Sequence, residues 1–145
     1  MSPGKLAAQV SHCAEAYWTN LIRENCDVEY AFYPEAEPGK QIAIVSYKVE
    51  FFIDQNLYEQ YVEGTFTKTI CEAKNKTQLL KAKDKAIELG LTEGKDFGLI
   101  YDCCFTELAP EEEDGTTLTG IWFAPLPDET VHAISKKYQL YKGEQ

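Results

Sequence analysis

Over the first two dozen residues the apolar positions recur at intervals of three and four. Leu6, Val10, Ala14, Tyr17 and Leu21 share one stripe, which predicts a helix over residues 5–24. Pro3 and Gly4 suit its tight start. The period then changes. Ala43, Val45, Tyr47, Val49, Phe51 and Ile53 alternate with Ser46, Lys48 and Glu50, predicting a strand over 43–53 with one buried face. Residues 34–41 hold two prolines and a glycine and read as a loop. A short helix at 55–63, closed by Gly64, and a strand at 66–73 follow. Asn75, with Gln78 three residues later, opens a helix over 76–89 that Gly90 ends. Phe97 to Tyr101 is a short apolar strand running into Asp102, residues 103–115 are a loop, and Thr117 to Phe123 is a strand. Pro125 and Pro127 break that strand, and Asp128 caps a helix through about Lys137. Strands alternating with helices give a layered α/β domain. With 145 residues, no internal repeat and no linker, residues 1–145 read as one domain.

Composition narrows the class. The chain is 44% hydrophobic and 26% charged, as soluble globular proteins are. No apolar run is long enough to span a bilayer, and residues 1–12 lack the plan of a signal peptide, which predicts a cytoplasmic protein. The five cysteines, Cys13, Cys26, Cys71, Cys103 and Cys104, are odd in number and form no C-x-x-C pair. They read as reduced thiols rather than as disulfides or zinc ligands. His12 and His132 stand alone, so no metal is expected.

The net charge of −10 opposes binding to phosphates. Its distribution is uneven. Lys68, Lys74, Lys76, Lys81, Lys83 and Lys85 face only Glu72 and Asp84 across residues 68–85. Residues 107–114 carry Glu107, Glu111, Glu112, Glu113 and Asp114 and no cation. On the first helix, Lys5, Gln9 and His12 form a polar line beside the apolar stripe. Lys5 lies in the first turn, where a cation opposes the helix dipole.

These residues carry a resemblance. "SPGKLAAQVSH" closely resembles the signature of type II peptidyl-tRNA hydrolases, G-K-[ILM]-A-A-Q followed by a histidine. "TKTICEAKNKTQLLKAKDKAIELGL" looks like the strand and helix that come next in that family, and "LIYDCCFTEL" like its strand ending in D-x-G-R-T-Q-[IL]. "TTLTGIWFAPLPDE" aligns without gaps to G-T-x-T-x-x-G-x-G-P-x-P-E-E, and "KKYQLYK" resembles the closing G-H-L-K-L. The likeness covers residues 1–24 and about 65–142. It implies a three-layer α/β/α domain around a small mixed β-sheet, and hydrolysis of the ester joining a peptide to tRNA without a cofactor. It also implies tRNA as partner and a possible homodimer.

By the same resemblance Lys5, Asp102, Thr106 and Thr117 are the catalytic candidates, and Gln9 and His12 match the helix positions. Lys68 and Lys81, from the basic stretch, are the candidate tRNA contacts. Asp102 would activate water, Lys5 stabilise charge, and the threonines position the reacting groups.

The chain departs from the family in four places. No apolar strand precedes the glycine–lysine turn, so the true start is expected upstream, or else the strand at 43–53 fills that place. Family G-R-T-Q becomes Cys104, Phe105, Thr106 and Glu107. The acidic run 111–114 follows directly, and residues 25–55 exceed the family's usual connection. Two other readings fit the same residues: a non-enzymatic RNA- or protein-binding module of this fold, and a hydrolase of a different small ester or amide.

Overall fold

The computed structural model describes the backbone over residues 1–34 and 41–142 and the side chains over 1–30 and 45–142. Helix α1 spans Pro3–Glu24. Ser2 caps it, its hydroxyl accepting the Lys5 N–H at 3.3 Å, and Pro3 takes the first helical position, where no N–H is needed. Strand β1 (Cys26–Pro34) and strand β2 (Gln41–Val49) follow, then a short turn of helix α2 (Gln55–Leu57) capped by Asp54 and running into a π-helical segment, Tyr58–Thr65. The remaining elements are β3 (Cys71–Glu72), α3 (Lys76–Glu88), β4 (Phe97–Asp102), β5 (Thr117–Phe123), α4 (Asp128–Ser135) and β6 (Gln139–Leu140).

The centre of the molecule is the antiparallel pair β4–β5, with helices on both faces. On one face Phe97 is fully buried with Ala82 and Ala86 of α3 and Ile134 of α4, and Leu91, Ile121, Phe123 and Tyr138 pack around them. On the other face lies α1. Gly120 is there because a Cβ would stand 2.5 Å from Cys13 Sγ, and Gly98 because a Cβ would stand 2.5 Å from the Trp122 ring. Alternate residues of β5 therefore serve opposite layers, which is what period-two side chains do. Trp122 is buried, 6.3 Å ring to ring from Tyr17 of α1. Trp18 stacks on Tyr61 of the π-helical segment at 6.2 Å.

The α/β class and the layering agree with expectation. The sheet is more divided than expected. In place of one mixed sheet, the ladders among the described residues are three antiparallel pairs, β1–β2, β3–β6 and β4–β5, because β3 and β6 are two residues long and bond only to each other. The strand expected over 66–73 shrinks to Cys71–Glu72. Phe66 takes a left-handed backbone (φ 50°) as the chain leaves the π-helical segment, which a strand cannot include. The helix expected at 55–63 is one α turn followed by π-helix, with Gly64 out of helical geometry.

The largest correction concerns 43–53. The strand ends at Val49, and its apolar face is not buried. Val45, Tyr47 and Val49 are exposed, as are Val28 and Tyr30 on the strand opposite. In register, Val28 faces Tyr47 and Tyr30 faces Val45. Alternation reports that one face is apolar, and among the described residues these side chains stay exposed. The strand therefore does not stand in for a first strand: among the described residues β2 pairs with β1 alone. β1 itself has no counterpart in the sequence reading. Residues 35–40 of the expected 34–41 loop lie outside the described residues.

Candidate active site

Asp102 ends β4 with its side chain buried beneath the first turns of α1. Lys5 Nζ lies 2.6 Å from Asp102 Oδ2. Gln9 Nε2 donates to the same oxygen at 2.7 Å, and the Cys104 backbone N–H donates to Oδ1 at 2.8 Å. Both carboxylate oxygens are thus held. Lys5 and Gln9 are four residues apart, so they project from one side of α1. Lys5 Nζ also donates to Thr106 Oγ1 at 3.2 Å. The Lys5 ammonium, then the Cys104 N–H, hold the Asp102 carboxyl below the usual carboxylate range. The cation that looked misplaced at a helix N-terminus is therefore the counter-charge of a buried acid.

A second tier supports the first. Thr119 Oγ1 donates to Gln9 Oε1 at 2.6 Å, with the Ile100 carbonyl oxygen 3.2 Å from the same hydroxyl. This fixes which end of the Gln9 amide meets Asp102. Thr119 reaches Gln9 because of a β-bulge. Ile100 stands opposite Gly120, but Tyr101 stands opposite Leu118, leaving Thr119 as an extra residue that the bulge re-aims. The loop after β4 has its own constraint. Cys104 sits at φ 58°, a left-handed conformation that costs a non-glycine residue about 1–2 kcal/mol. The family pattern has glycine here, and the hydrogen bond to Asp102 offsets part of that cost in this chain.

Glu107 closes the corner. Its carboxylate accepts the Ser2 backbone N–H at 2.9 Å and the Ser2 hydroxyl at 2.5 Å, which lowers its proton affinity. An anion at the start of α1 is favoured by the helix dipole. The acid that replaces an amide in the family pattern is thus tied to the helix start.

Of the residues expected at the site, Lys5, Asp102, Gln9 and Thr106 come together, and Thr117 is buried directly opposite Asp102 in the β4–β5 register. Gln9 lies inside the contact rather than beside it: it is 3% exposed. His12 is exposed and does not touch the carboxylate. Lys68 lies 5.6 Å over the Tyr61 ring, and Lys81 is exposed on α3. Neither reaches Asp102. The basic stretch is partly neutralised, with Lys76 paired to Glu112, Lys83 to Glu93 at 2.8 Å and Lys85 to Glu88 at 2.8 Å. The residue that sequence reasoning missed is Thr119. Regular alternation puts it on the face of Ile121 and Phe123, against α3, and only the bulge turns it to Gln9.

The five cysteines are free thiols, and burial pushes Cys13 up to about 11. Among the described residues no three His, Cys, Asp or Glu side chains gather as metal ligands, and no helix is long and apolar enough to cross a membrane. A cleft of about 170 Å³ lies at the other end of the β4–β5 pair, lined by Tyr17, Leu21, Asp96 and Pro125 among others. None of the residues holding Asp102 lines it.

A search of curated proteins finds no match to this chain. A family model does match, over residues 1–141, nearly the whole length. It spans both halves of the corner, the helix that carries Lys5 and Gln9 and the strand that ends in Asp102. The chain belongs to the family described as Peptidyl-tRNA hydrolase PTH2.

Proposed function

We propose that this chain hydrolyses the ester between a peptide, or an N-blocked amino acid, and tRNA. The observation that carries the reading is the Lys5–Asp102–Thr106 cluster at the start of α1, braced by Gln9. Water attacks the ester carbonyl carbon, the carbonyl oxygen becomes an oxyanion, and on its collapse the bond to the ribose oxygen breaks, one water proton passing to that oxygen and the other to solvent. The products are a carboxylate and a free tRNA hydroxyl.

Lys5 supplies the positive charge that meets the oxyanion. Asp102 keeps that ammonium in place and orients the water. Held ionised beside Lys5, the carboxylate can accept a hydrogen bond from that water. Thr106 accepts from Lys5, which leaves its own proton free to donate to the substrate. Thr117, opposite Asp102, shapes the floor.

The rest of the reading follows from this reaction: a single domain over 1–145, a cytoplasmic setting where tRNA is found, and tRNA contacts from His12, Lys68 and Lys81. A homodimer belongs to it as well, supported by sheets that among the described residues have two strands each.

The test is release of peptide from an N-blocked aminoacyl-tRNA, with wild type beside Asp102→Asn. Wild-type cleavage that the variant loses supports the assignment, and an intact ester with both folded proteins refutes it. One observation favours a second reading, a binding protein that does not hydrolyse. Glu107 already occupies the start of α1, where a phosphate would otherwise be received. tRNA binding without turnover would select that reading.

A further inference from the structure

The loop after β4 is pinned on both sides of one residue. Cys104 is held through its N–H by Asp102 Oδ1 at 2.8 Å. Thr106 is held by Lys5 at 3.2 Å, and Glu107 by Ser2 at 2.9 Å. Between these anchors stands Phe105, 92% exposed. The left-handed turn at Cys104 precedes it immediately. A loop tip of this kind ordinarily carries a small or polar residue. Here an aromatic ring is presented to solvent by a backbone that its neighbours immobilise, next to the residues that hold Asp102.

We propose that Phe105 is a stacking platform for the nucleobase of the nucleotide that bears the ester. The inference rests on the reading of Asp102 and Lys5 as the hydrolytic site. An ester on a terminal ribose carries its base within one nucleotide of the scissile bond, and the end of a tRNA is single-stranded, so that base is free to stack. Aromatic rings take any base by its π-face, a contact that itself needs no cation. That suits this surface. The chain is acidic, Glu107 fills the helix start, and three of the six lysines between 68 and 85 are paired with acids. Where cations are scarce near the site, stacking is the recognition force that remains. Because the ring is exposed, its removal leaves the core untouched.

The experiment uses a short single-stranded RNA with an unpaired terminal adenosine, the same RNA with an abasic terminus, and N-blocked aminoacyl-tRNA as substrate. Phe105→Ala should weaken binding of the intact RNA by about 5- to 100-fold, and Phe105→Trp should restore it. The abasic RNA should bind wild type and Phe105→Ala alike. In turnover, Phe105→Ala should raise KM with kcat little changed. Equal binding of the intact RNA by wild type and Phe105→Ala overturns the proposal, as does failure of Phe105→Trp to restore it. Binding does not require turnover, so the two readings separate. Base-dependent binding without hydrolysis refutes the hydrolase reading and leaves the platform standing. Hydrolysis indifferent to residue 105 does the reverse.

Discussion

Two regions of this chain treat their side chains in opposite ways. At the corner where α1 meets the end of β4, the Asp102 carboxylate has Lys5, Gln9 and the Cys104 N–H on its two oxygens, and Gln9 is held in turn by Thr119. In the β1–β2 hairpin, Val28, Val45, Tyr47 and Val49 lie on the surface, and among the described residues each strand pairs only with the other. The corner spends polar groups inside and satisfies them, whereas the hairpin displays apolar groups outside. A two-stranded ribbon is at best marginally stable alone in water, while a buried charge with complete hydrogen bonding resists displacement. Function should therefore be sensitive at the corner and tolerant along the hairpin.

The sharpest test of that contrast is Asp102→Asn or Lys5→Ala. Each should lower hydrolysis of N-blocked aminoacyl-tRNA by roughly 100-fold or more, with circular dichroism unchanged for the isosteric Asn variant. The pair Tyr47→Ser with Val45→Thr should leave the rate within about twofold. If the hairpin pair costs as much as the corner, the contrast fails.

Next in size is the contact that seats α1. Gly120→Ala puts a Cβ 2.5 Å from Cys13 Sγ and should cost about 1–3 kcal/mol by denaturant titration. Adding Cys13→Ala should recover much of that loss. Additive losses in the double variant would show that α1 does not press on β5 at this point.

A smaller effect is the dependence on acid. The Asp102 carboxyl titrates lower in the folded chain than in the unfolded one. Its contribution is complete above the unfolded value, near pH 4, and disappears as pH falls through the lower folded value. Unfolding free energy should hold steady from neutral pH to about pH 5 and decline below it, and the decline should be shallower for Asp102→Asn. Equal slopes in the two proteins would deny the carboxylate its role in stability.

The smallest effect belongs to the hairpin. The Tyr47→Ser and Val45→Thr pair should change stability by no more than about 0.5 kcal/mol, as exposed positions do. Light scattering on the same samples adds a check. A loss of mass on substitution would show a second copy covering that face, and the tolerance would then be lost with the dimer.

The comparison also separates what could be read in advance. α1, α3, β4 and β5 stand close to their expected bounds, because caps, glycine stops and apolar periods are local properties. Asp102 and Thr106 were legible as site residues only through the resemblance, whereas Lys5 also stood out as a cation in a helix's first turn, and the structure puts it on both. Gln9 was placed on the right face of its helix and at the wrong depth. A helical wheel gives direction but not what lies opposite.

By itself the sequence determined α1, α3, α4, the two central strands and the residue types available for chemistry, because neighbours in the chain decide those through backbone geometry and periodicity. Tertiary structure alone decided the rest. It brought Lys5 to Asp102 across most of the chain, turned Thr119 toward Gln9 through a bulge, shortened β3 to two residues and left Val28, Val45, Tyr47 and Val49 exposed. Each of these depends on what packs opposite a residue, and an alternating pattern records that a face is apolar without recording its partner.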